Sequence, residues 1–429
     1  MQRVAIIGAG AAGLCAARYL SKNPSLFRAV VFEQSDCVGG TWVYTENTAV
    51  DQYGLPVHSS MYSSLKTNLP KEVMAFPDFP FDKNLCSFVG HQDVLKYLES
   101  YCDAFQLTQY IKFQTRVENV QPVSRNGKTT WDVQYSSVKK EKTDQKKKEV
   151  FDAVIVCNGH YSLPKIPDIA GLDSFAGNII HSHTYRHGED FKGKRLVVLG
   201  AGASGIDIAL DVAKYAAFVT ISHWKSPLRS PLPENMKQVS VIKEVVGNQV
   251  VFSDDTREVV DGIIFCTGYN FDFSFLHAEC NVTVDDGRIT PLYKHILHSK
   301  YPSLSFIGIC STICPFPMFS CQVLFVISAL TGVMQLPSEE QMKVDIENDY
   351  EKRRREGLAH RHAHVMGPRQ WKYNDDICNL AGVDTIPEVV QTLYDAVHDE
   401  RTWNVADYKK SNFKLVDNKS YEKIQIFVH

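Results

Sequence analysis

The chain has 429 residues, which is long enough for two or three domains. Hydrophobic residues make up 44% of it and charged residues 22%, which is typical of a folded globular protein and excludes global disorder. The net charge of -3, with no basic stretch large enough to follow a phosphate backbone, argues against nucleic-acid binding.

The cysteines and the apolar segments bear on the cellular compartment. The chain has 11 cysteines, an odd number, and most lie in apolar stretches such as VIVCNG, which is typical of reduced, buried thiols. The N-terminal MQRVAIIGAG passes directly into a predicted strand, so we expect no signal peptide. The apolar run at residues 323–330 is far shorter than the roughly 20 residues that cross a bilayer, so we expect no integral membrane anchor. These features favour a cytoplasmic protein and leave open a peripheral attachment to the endoplasmic reticulum.

The first predicted element is a strand that ends in a glycine-rich turn and leads into a helix, in RVAIIGAGAAGLCAARYL. Gly8 permits the tight turn, Gly10 lets backbone amides approach a pyrophosphate, and Gly13 lets helix and strand pack closely. A second strand, RAVVFEQ, ends in Glu33, where a carboxylate accepts hydrogen bonds from ribose hydroxyls and repels a 2′-phosphate. The turn therefore predicts a site for FAD or NAD rather than NADP.

The segment after Glu33, QSDCVGGTWVY, contains only Cys37, whereas disulfide reductases with two dinucleotide sites need a close pair of cysteines beside the flavin. The close pair Cys310 and Cys314, in GICSTICPF, is interpreted as buried structural thiols, with a redox role as the alternative. Further along, period-2 patterning predicts a hairpin from Thr115 to about Ser137. The charge run at residues 139–149 is interpreted as its solvated tip.

A second glycine-rich turn echoes the first, in RLVVLGAGASGIDIALDV. Its small residues at the matching positions are Gly200, Gly202, Ser204 and Gly205. The strand that follows ends in FVTISHWKSPLR, which has no acid and offers basic residues that suit the 2′-phosphate of NADPH. These basic residues are His223, Lys225 and Arg229. One site of each preference in one chain indicates electron transfer from NADPH to a bound flavin.

Each glycine-rich turn is followed later in the chain by a predicted strand with the pattern Asp, apolar run, Cys, any residue, Gly. This strand is DAVIVCNGHY for the first turn and DGIIFCTGYN for the second. Alternating strands and helices of this kind predict an α/β protein with two Rossmann-like dinucleotide-binding domains. We expect the NADPH domain to be inserted into a discontinuous FAD domain. The predicted boundaries are 1–165 for the first part of the FAD domain, 166–272 for the NADPH domain, and 273–429 for the second part with a C-terminal helical region. In that region, residues 338–358 predict a capped amphipathic helix.

Several motifs carry a resemblance to a known family. They are GGTWVY at residues 39–44, YSSLKTNLPKEVMAFPDFPF at 62–81, FAGNIIHSHTYR at 175–186, CTGY at 266–269 and MFSCQ at 318–322. In these motifs the chain resembles the flavin-containing monooxygenases, which are class B flavoprotein monooxygenases, over nearly its whole length. It is similar in size to the shorter soluble members, as in insects and yeast, and lacks the hydrophobic C-terminal segment of the long mammalian forms.

The resemblance implies a site and a reaction. FAD would contact Gly40, Thr41, Trp42, Asn68 and Gln322. Asn68 is also the implied catalytic residue, with a turn-capping role as the alternative. NADPH would reduce FAD, and dioxygen would add to give a flavin 4a-hydroperoxide that oxygenates small molecules of the amine, alkaloid, thioether or thiol type. Such N- or S-oxygenation would place the chain with the N,N-dimethylaniline monooxygenase type of enzyme and with xenobiotic metabolism.

Other functions on the same scaffold stay open: Baeyer-Villiger oxygenation of ketones, an NADPH oxidase, or a flavin-binding redox sensor. Baeyer-Villiger enzymes have Trp where this chain has Tyr185, which favours oxygenation of soft nucleophiles. His181 and Tyr185 lie in the linker into the NADPH domain, so we expect them to couple the domains. The histidines in HRHAH, at residues 360–364, are interpreted as exposed loop residues rather than metal ligands. A homodimer is possible on base rates alone.

Overall fold

A computed structural model describes residues 1–139, 146–224 and 226–425. Within these ranges the helices are α1 (Ala11–Ser21), α2 (Lys71–Met74), α3 (His91–Ala104), α4 (Ala203–Ala213), α5 (Pro315–Thr331), α6 (Glu339–Arg355), α7 (Arg369–Ala381) and α8 (Glu388–Trp403). The strands are β1 (Gln2–Ile7), β2 (Phe27–Phe32), β3 (Ile111–Lys112), β4 (Thr115–Arg125), β5 (Lys128–Ser137), β6 (Lys147–Phe151), β7 (Ala153–Val156), β8 (Leu163–Pro164), β9 (Asn178–His181), β10 (Arg195–Leu199), β11 (Phe218–Ser222), β12 (Met236–Val239), β13 (Ile242–Val246), β14 (Gln249–Phe252), β15 (Arg257–Val259), β16 (Gly262–Phe265), β17 (Tyr269–Asn270), β18 (Thr283–Asp285), β19 (Arg288–Thr290), β20 (Leu292–Tyr293), β21 (Leu297–His298), β22 (Leu304–Phe306), β23 (Asn412–Leu415) and β24 (Tyr421–Ile424).

The larger sheet has the strand order β20-β21-β22-β7-β1-β2-β3. Strands β22, β7, β1, β2 and β3 pair in parallel, while β20 and β21 add an antiparallel edge. The side chains of β1 alternate between two cores, as the pleat requires. Val4 and Ile6 pack with helices α1 and α5, and Ala5 and Ile7 pack with the antiparallel sheet β4-β5-β6.

The second sheet, of order β12-β11-β10-β16-β9, is parallel throughout. Its central strand β10 repeats the arrangement of β1. Leu196 and Val198 pack against α4 on one face, and Val197 and Leu199 pack against the antiparallel sheet β13-β14-β15 on the other. The similarity between the two glycine-rich segments thus extends to whole modules. In each module, helices cover one face of the parallel sheet and a small antiparallel sheet covers the other. The predicted α/β class is confirmed, with one module inserted in the other.

The insertion is visible in the order of the strands. The larger sheet takes β1, β2, β3 and β7 from before the second sheet and β20, β21 and β22 from after it. Two short strands, β8 and β17, lie where the chain enters and leaves the inserted module, and they pair with each other antiparallel at Pro164–Tyr269 and Leu163–Asn270. The two crossings therefore lie side by side.

Two predictions concern surface segments. The helix predicted at residues 338–358 is present as α6, and Ser338 forms a capping box with Gln341. One face of the helix packs against the protein, as predicted, but only Met342 and Ile346 on that face are aliphatic and in the main core. The hairpin β4-β5 is confirmed.

The charge run at residues 139–149 is not only a solvated tip. Its last part forms β6, which pairs with β5. Glu149 there contacts the side chains of Arg3, Lys112 and Tyr135. Residues 140–145 of the run lie outside the described residues.

Candidate active site

The first glycine-rich turn lies between β1 and α1 and has the geometry of a dinucleotide turn. Gly8 has φ +102°, a conformation that favours glycine, and a Cβ there would lie 2.6 Å from the carbonyl oxygen of Cys157. A Cβ at Gly13 would lie 1.9 Å from the carbonyl oxygen of Gly8, so α1 can approach β1 only without a side chain at this position. Gly10 is the N-cap of α1, and the first amides of a helix offer free N–H groups to a pyrophosphate.

Glu33 lies beside this turn, directly after β2. The side chain is only 7% exposed. One carboxylate oxygen accepts a hydrogen bond from the Ala9 amide at 2.7 Å, and the other accepts from the Ser35 amide and hydroxyl, both at 2.8 Å. These bonds hold the carboxylate at the end of β2, and the oxygen that bonds Ala9 keeps a lone pair for a ribose hydroxyl. This arrangement fits the adenosine end of FAD.

The GGTW segment packs against the same turn. Gly40, Thr41 and Trp42 form a short 3-10 turn, and the Gly39 amide donates to the Ala9 carbonyl at 3.1 Å. A Cβ at Gly10 would lie 3.6 Å from the Cα of Gly40. The Thr41 hydroxyl is buried and has no partner among the described residues, which is the state expected of a polar group that faces a cofactor. The residues present therefore fit FAD at this position.

Asn68 lies in a loop whose neighbours are buried. Thr67 donates from its amide to the Val89 carbonyl at 2.9 Å, which ties the loop to the segment before α3. Thr67, Leu69 and Pro70 are buried, whereas Asn68 itself is exposed. The N-cap of the following helix α2 is Pro70, so Asn68 is not the cap of that helix. The loop thus presents a single carboxamide outward from a fixed backbone.

The carboxamide of Gln322 makes hydrogen bonds within the protein. It lies on α5 with no exposed surface. Its carboxamide oxygen accepts from the Gly308 amide at 3.0 Å, and its nitrogen donates to the Tyr373 hydroxyl at 3.0 Å. Both ends of the side chain are engaged by protein groups, so Gln322 positions the loop that follows β22. A direct contact between this residue and FAD stays a prediction.

The second glycine-rich turn, between β10 and α4, repeats the first. Gly200 has φ +118°, and a Cβ at Gly205 would lie 1.9 Å from the carbonyl oxygen of Gly200. A Cβ at Gly202 would meet nothing within 4 Å, so the space above the N-terminus of α4 is open to a pyrophosphate. Ser204 is exposed in the first turn of α4. This geometry fits the diphosphate of NADPH.

The structure describes two of the three basic residues predicted for the 2′-phosphate, and it places them in different environments. His223 follows β11 but is buried, and its Nε2 lies 3.3 Å from the carboxamide oxygen of Gln238. Arg229 is exposed, with its guanidinium 5.3 Å from the ring centre of Trp403 on α8. Lys225 lies outside the described residues. Between them stands Trp224, which the sequence reasoning missed and which is 63% exposed directly beyond the end of β11.

The segment at residues 181–186 couples the two modules. His181 lies 3.0 Å through Nε2 from the Gly268 carbonyl, and Tyr185 donates from its hydroxyl to Asp211 on α4 at 2.7 Å. Sequence reasoning missed Arg186, the last residue of the FAGNIIHSHTYR motif. Arg186 is 4% exposed and donates to the backbone carbonyl of Thr45 at 2.6 Å, across 141 residues of chain. The sequence signal that could have identified this residue is its place directly after Tyr185 in the FAGNIIHSHTYR motif.

The histidines around the cleft are neutral. Burial lowers the pKa of His160, which follows β7, to about 4, and burial likewise lowers the pKa of His181 to about 4. Burial also lowers the pKa of His58. This side chain lies close to Gly159, because a Cβ added at Gly159 would be 3.2 Å from its Nε2. These imidazoles are therefore uncharged at neutral pH.

The close cysteine pair is not poised for redox chemistry. Burial raises the pKa of Cys310 to about 12, and burial also raises the pKa of Cys314, whose thiol donates to the Val73 carbonyl at 2.9 Å. Thiols of this kind stay protonated, and the thiolate is the reactive form. Cys37 is half-buried, and burial raises its pKa as well.

The histidines of HRHAH are not simply exposed. His364 is buried, while His360 and His362 are half-buried. Among the described residues, no group of three or more His, Cys, Asp or Glu side chains is arranged to hold a metal ion. In the same part of the chain, no helix is long and apolar enough to span a membrane.

Two dinucleotide modules of the same plan, one with a carboxylate and one without an acid at the end of its second strand, define a flavoprotein oxidoreductase that uses FAD and NADPH. Comparison with known proteins gives the family. The model of the flavin-binding monooxygenase-like family matches residues 1–227 and 232–402, so the chain belongs to that family. It is an FAD-dependent monooxygenase.

Individual relatives agree with this assignment. The chain is 38% identical over 414 residues to the flavin-containing monooxygenase FMO GS-OX-like 4 of Arabidopsis thaliana, with 91% of this chain and 90% of the relative covered. It superposes on the S-allyl-L-cysteine S-oxygenase of Allium sativum with a TM-score of 0.88 and 37% identity, covering 96% and 95% of the two chains. Tmm from Pelagibacter sp. strain HTCC7211 gives a TM-score of 0.83 and 31% identity, covering 95% and 93%.

Proposed function

We propose that this monooxygenase uses NADPH and dioxygen to oxygenate a soft nucleophilic sulfur or nitrogen of a small molecule. The observation that carries the proposal is the Asn68 loop, because it holds one exposed carboxamide between buried neighbours. The similarity to a protein described as an S-allyl-L-cysteine S-oxygenase favours sulfur in a small thioether as the first substrate to test. Its N- or S-oxide product would carry one atom of dioxygen.

The glycine-rich turns would hold the two diphosphates, the first on α1 and the second on α4. Glu33 would accept hydrogen bonds from the FAD ribose, and Thr41 would offer its unpartnered hydroxyl to the flavin end. When bound, FAD supplies the activation of dioxygen, which no protein side chain provides. The boundaries that we propose for the two modules are residues 165 and 272, next to the paired strands β8 and β17.

Asn68 would orient the reacting oxygen. A carboxamide donates and accepts hydrogen bonds without a titratable proton, so it stabilises the oxygen without acidifying it. The lowered pKa values of His58, His160 and His181 act in the same direction, because an uncharged imidazole is a much weaker acid than an imidazolium. A site of this kind keeps activated oxygen for substrate instead of releasing it as hydrogen peroxide.

The test is the Asn68→Ala variant, assayed with NADPH and a thioether. We expect NADPH to reduce its FAD at the normal rate, the ratio of sulfoxide to NADPH consumed to fall about tenfold to a hundredfold, and hydrogen peroxide to make up the difference. The matched control is Asn84→Ala, which removes an exposed carboxamide from another loop of the same module. An unchanged ratio in Asn68→Ala would remove Asn68 from the mechanism. A tertiary amine and a cyclic ketone, assayed alongside, separate nitrogen oxygenation and Baeyer-Villiger chemistry from sulfur oxygenation.

A further inference from the structure

The HRHAH segment is fixed to the module that binds FAD. His360 lies 3.0 Å through Nε2 from the Asp285 carbonyl at the end of β18. His364 accepts at Nε2 from the Ile289 amide of β19 at 2.9 Å, and its Nδ1 lies 2.8 Å from Nδ1 of His295. The outer histidines of the motif thus hold the segment on both sides of the β18-β19 turn, and the residues between them are presented in a fixed place.

Arg361 and His362, which lie between the outer histidines, are close to Trp224 of the other module. The Arg361 guanidinium lies 5.8 Å from the ring centre of Trp224. The His362 ring is 6.2 Å from the Trp224 ring, centre to centre, at an interplanar angle of 21°. Trp224 and Arg361 are both exposed although they lie close together. A cationic and aromatic surface is therefore built from two modules, 137 residues apart in the chain.

The position of this surface identifies its ligand. In a dinucleotide fold the pyrophosphate lies at the N-terminus of the helix after the first strand, and the adenosine ribose lies beyond the end of the second strand. Here these elements are α4 and β11, and β11 ends at Ser222, two residues before Trp224. An indole stacks on a base, and a guanidinium binds a phosphate through directed hydrogen bonds.

The neighbouring acid does not neutralise Arg361. Asp286 lies close enough for Arg361 to help lower its pKa, but the larger cause is Lys165, which bonds the Asp286 carboxylate directly. Lys165 thus satisfies that carboxylate, and Arg361 has no hydrogen-bonded acid among the contacts of the described residues. Its charge is available for a ligand.

We propose that Arg361 recognises the 2′-phosphate of NADPH and that Trp224 stacks on its adenine. Part of the preference for NADPH over NADH is then supplied by the FAD-binding module, across the cleft from the NADPH-binding fold. NADPH bound in this way ties the two modules together at its adenosine end. The proposal depends on NADPH as the reductant and is independent of Asn68 and of the substrate that is oxygenated.

The experiment is calorimetric titration of the FAD-loaded protein with 2′,5′-ADP, which carries the 2′-phosphate, and with 5′-AMP, which lacks it. For Arg361→Gln we expect 2′,5′-ADP to bind at least about tenfold more weakly and 5′-AMP to bind unchanged, because one charge-assisted contact is lost. Arg361→Lys should recover part of the loss. Trp224→Ala should weaken both nucleotides by the same factor, because stacking does not distinguish them.

The matched control is Arg355→Ala, which removes an exposed guanidinium on α6 that bonds only within its own helix. It should bind both nucleotides as the parent does. Unchanged 2′,5′-ADP binding in Arg361→Gln, or an equal loss for both nucleotides, would overturn the proposal. Because the readout is nucleotide binding, a failure here is separate from a failure of the oxygenation assay, and a full flavin spectrum in each variant shows that the protein has folded.

Discussion

The two dinucleotide modules of this chain share one geometry at the pyrophosphate and differ at the adenosine end. Both glycine-rich turns begin with a glycine at positive φ, and both end with a glycine whose Cβ would lie 1.9 Å from a backbone oxygen. At the FAD end, Glu33 is held by three hydrogen bonds from its own module. At the NADPH end, Trp224 stands exposed and its aromatic and cationic neighbours come from the other module.

The difference matches the use of the two nucleotides. For a cofactor that stays bound, a site formed entirely within one module is already ordered before the ligand binds. This preorganisation lowers the entropic cost of binding. A reductant that enters and leaves in each cycle is served by a site that is open on one side. Three predictions, made with four substitutions, follow from this structure.

The largest effect should come from the matched pair Gly13→Ala and Gly205→Ala. Each methyl group would collide with backbone, and overpacking of this kind costs about 3 kcal/mol, or about a hundredfold in affinity. We expect Gly13→Ala to lose FAD on gel filtration, and Gly205→Ala to keep FAD but to be reduced by NADPH only at a much higher concentration. Loss of FAD from both variants would mean that the modules are not independent.

A smaller effect is expected for Glu33→Gln. In the variant, the NH₂ group of the carboxamide would face the amide N–H of Ala9 or of Ser35, so one of these hydrogen bonds is lost. Loss of a charged acceptor costs about 1.5 to 3 kcal/mol. FAD affinity, measured by flavin fluorescence on dilution, should fall about tenfold to a hundredfold. The KM for NADPH of the FAD-saturated variant should not change. A change in the KM for NADPH with FAD affinity intact would contradict the assignment of the two sites.

The smallest effect concerns pH and the small sheet β4-β5-β6. Burial alone raises the pKa of Glu149, but hydrogen bonds from Lys112, Tyr135 and Arg3 outweigh burial and lower the pKa from 4.5 to about 2. A carboxylate whose folded pKa is lowered contributes stability that is present above the unfolded pKa and lost as the pH falls through the folded pKa. Glu149→Gln should therefore be less stable than the parent at pH 6 by about 1 to 2 kcal/mol, after allowance for solvent screening.

The gap between Glu149→Gln and the parent should close between pH 4.5 and about 2, the window set by this shift. Urea unfolding at pH 6 and at pH 3 measures it. Glu99→Gln, on the exposed face of α3, is the control and should show no such dependence. A gap that stays constant with pH would show that Glu149 acts through packing instead of charge.

Features set by local chemistry were predicted from the sequence. Both glycine-rich turns and Glu33 were found because a dinucleotide turn constrains residues that are close together in the chain, and the structure places them as expected. The helix α6 was found from its cap, but the small extent of its apolar contact was not, because burial depends on what packs against it.

Features that depend on tertiary contact were missed or misread. Arg186 bonds a carbonyl 141 residues away, and Arg361 lies beside Trp224 only because the outer histidines of HRHAH are anchored on another hairpin. The hydrogen bonds of the Gln322 carboxamide to Gly308 and Tyr373 were not predicted either, because both partners lie outside its motif. A position in a motif does not say which way a side chain faces.

The central claim is that this chain transfers one oxygen atom from dioxygen to a nucleophilic small molecule at the expense of NADPH. The most direct measurement is mass spectrometry of the product formed from a thioether under ¹⁸O₂, with NADPH consumption followed in the same reaction. We predict one ¹⁸O atom in each sulfoxide molecule and one NADPH consumed for each. Sulfoxide without ¹⁸O, or NADPH consumption that yields only labelled hydrogen peroxide, would contradict it.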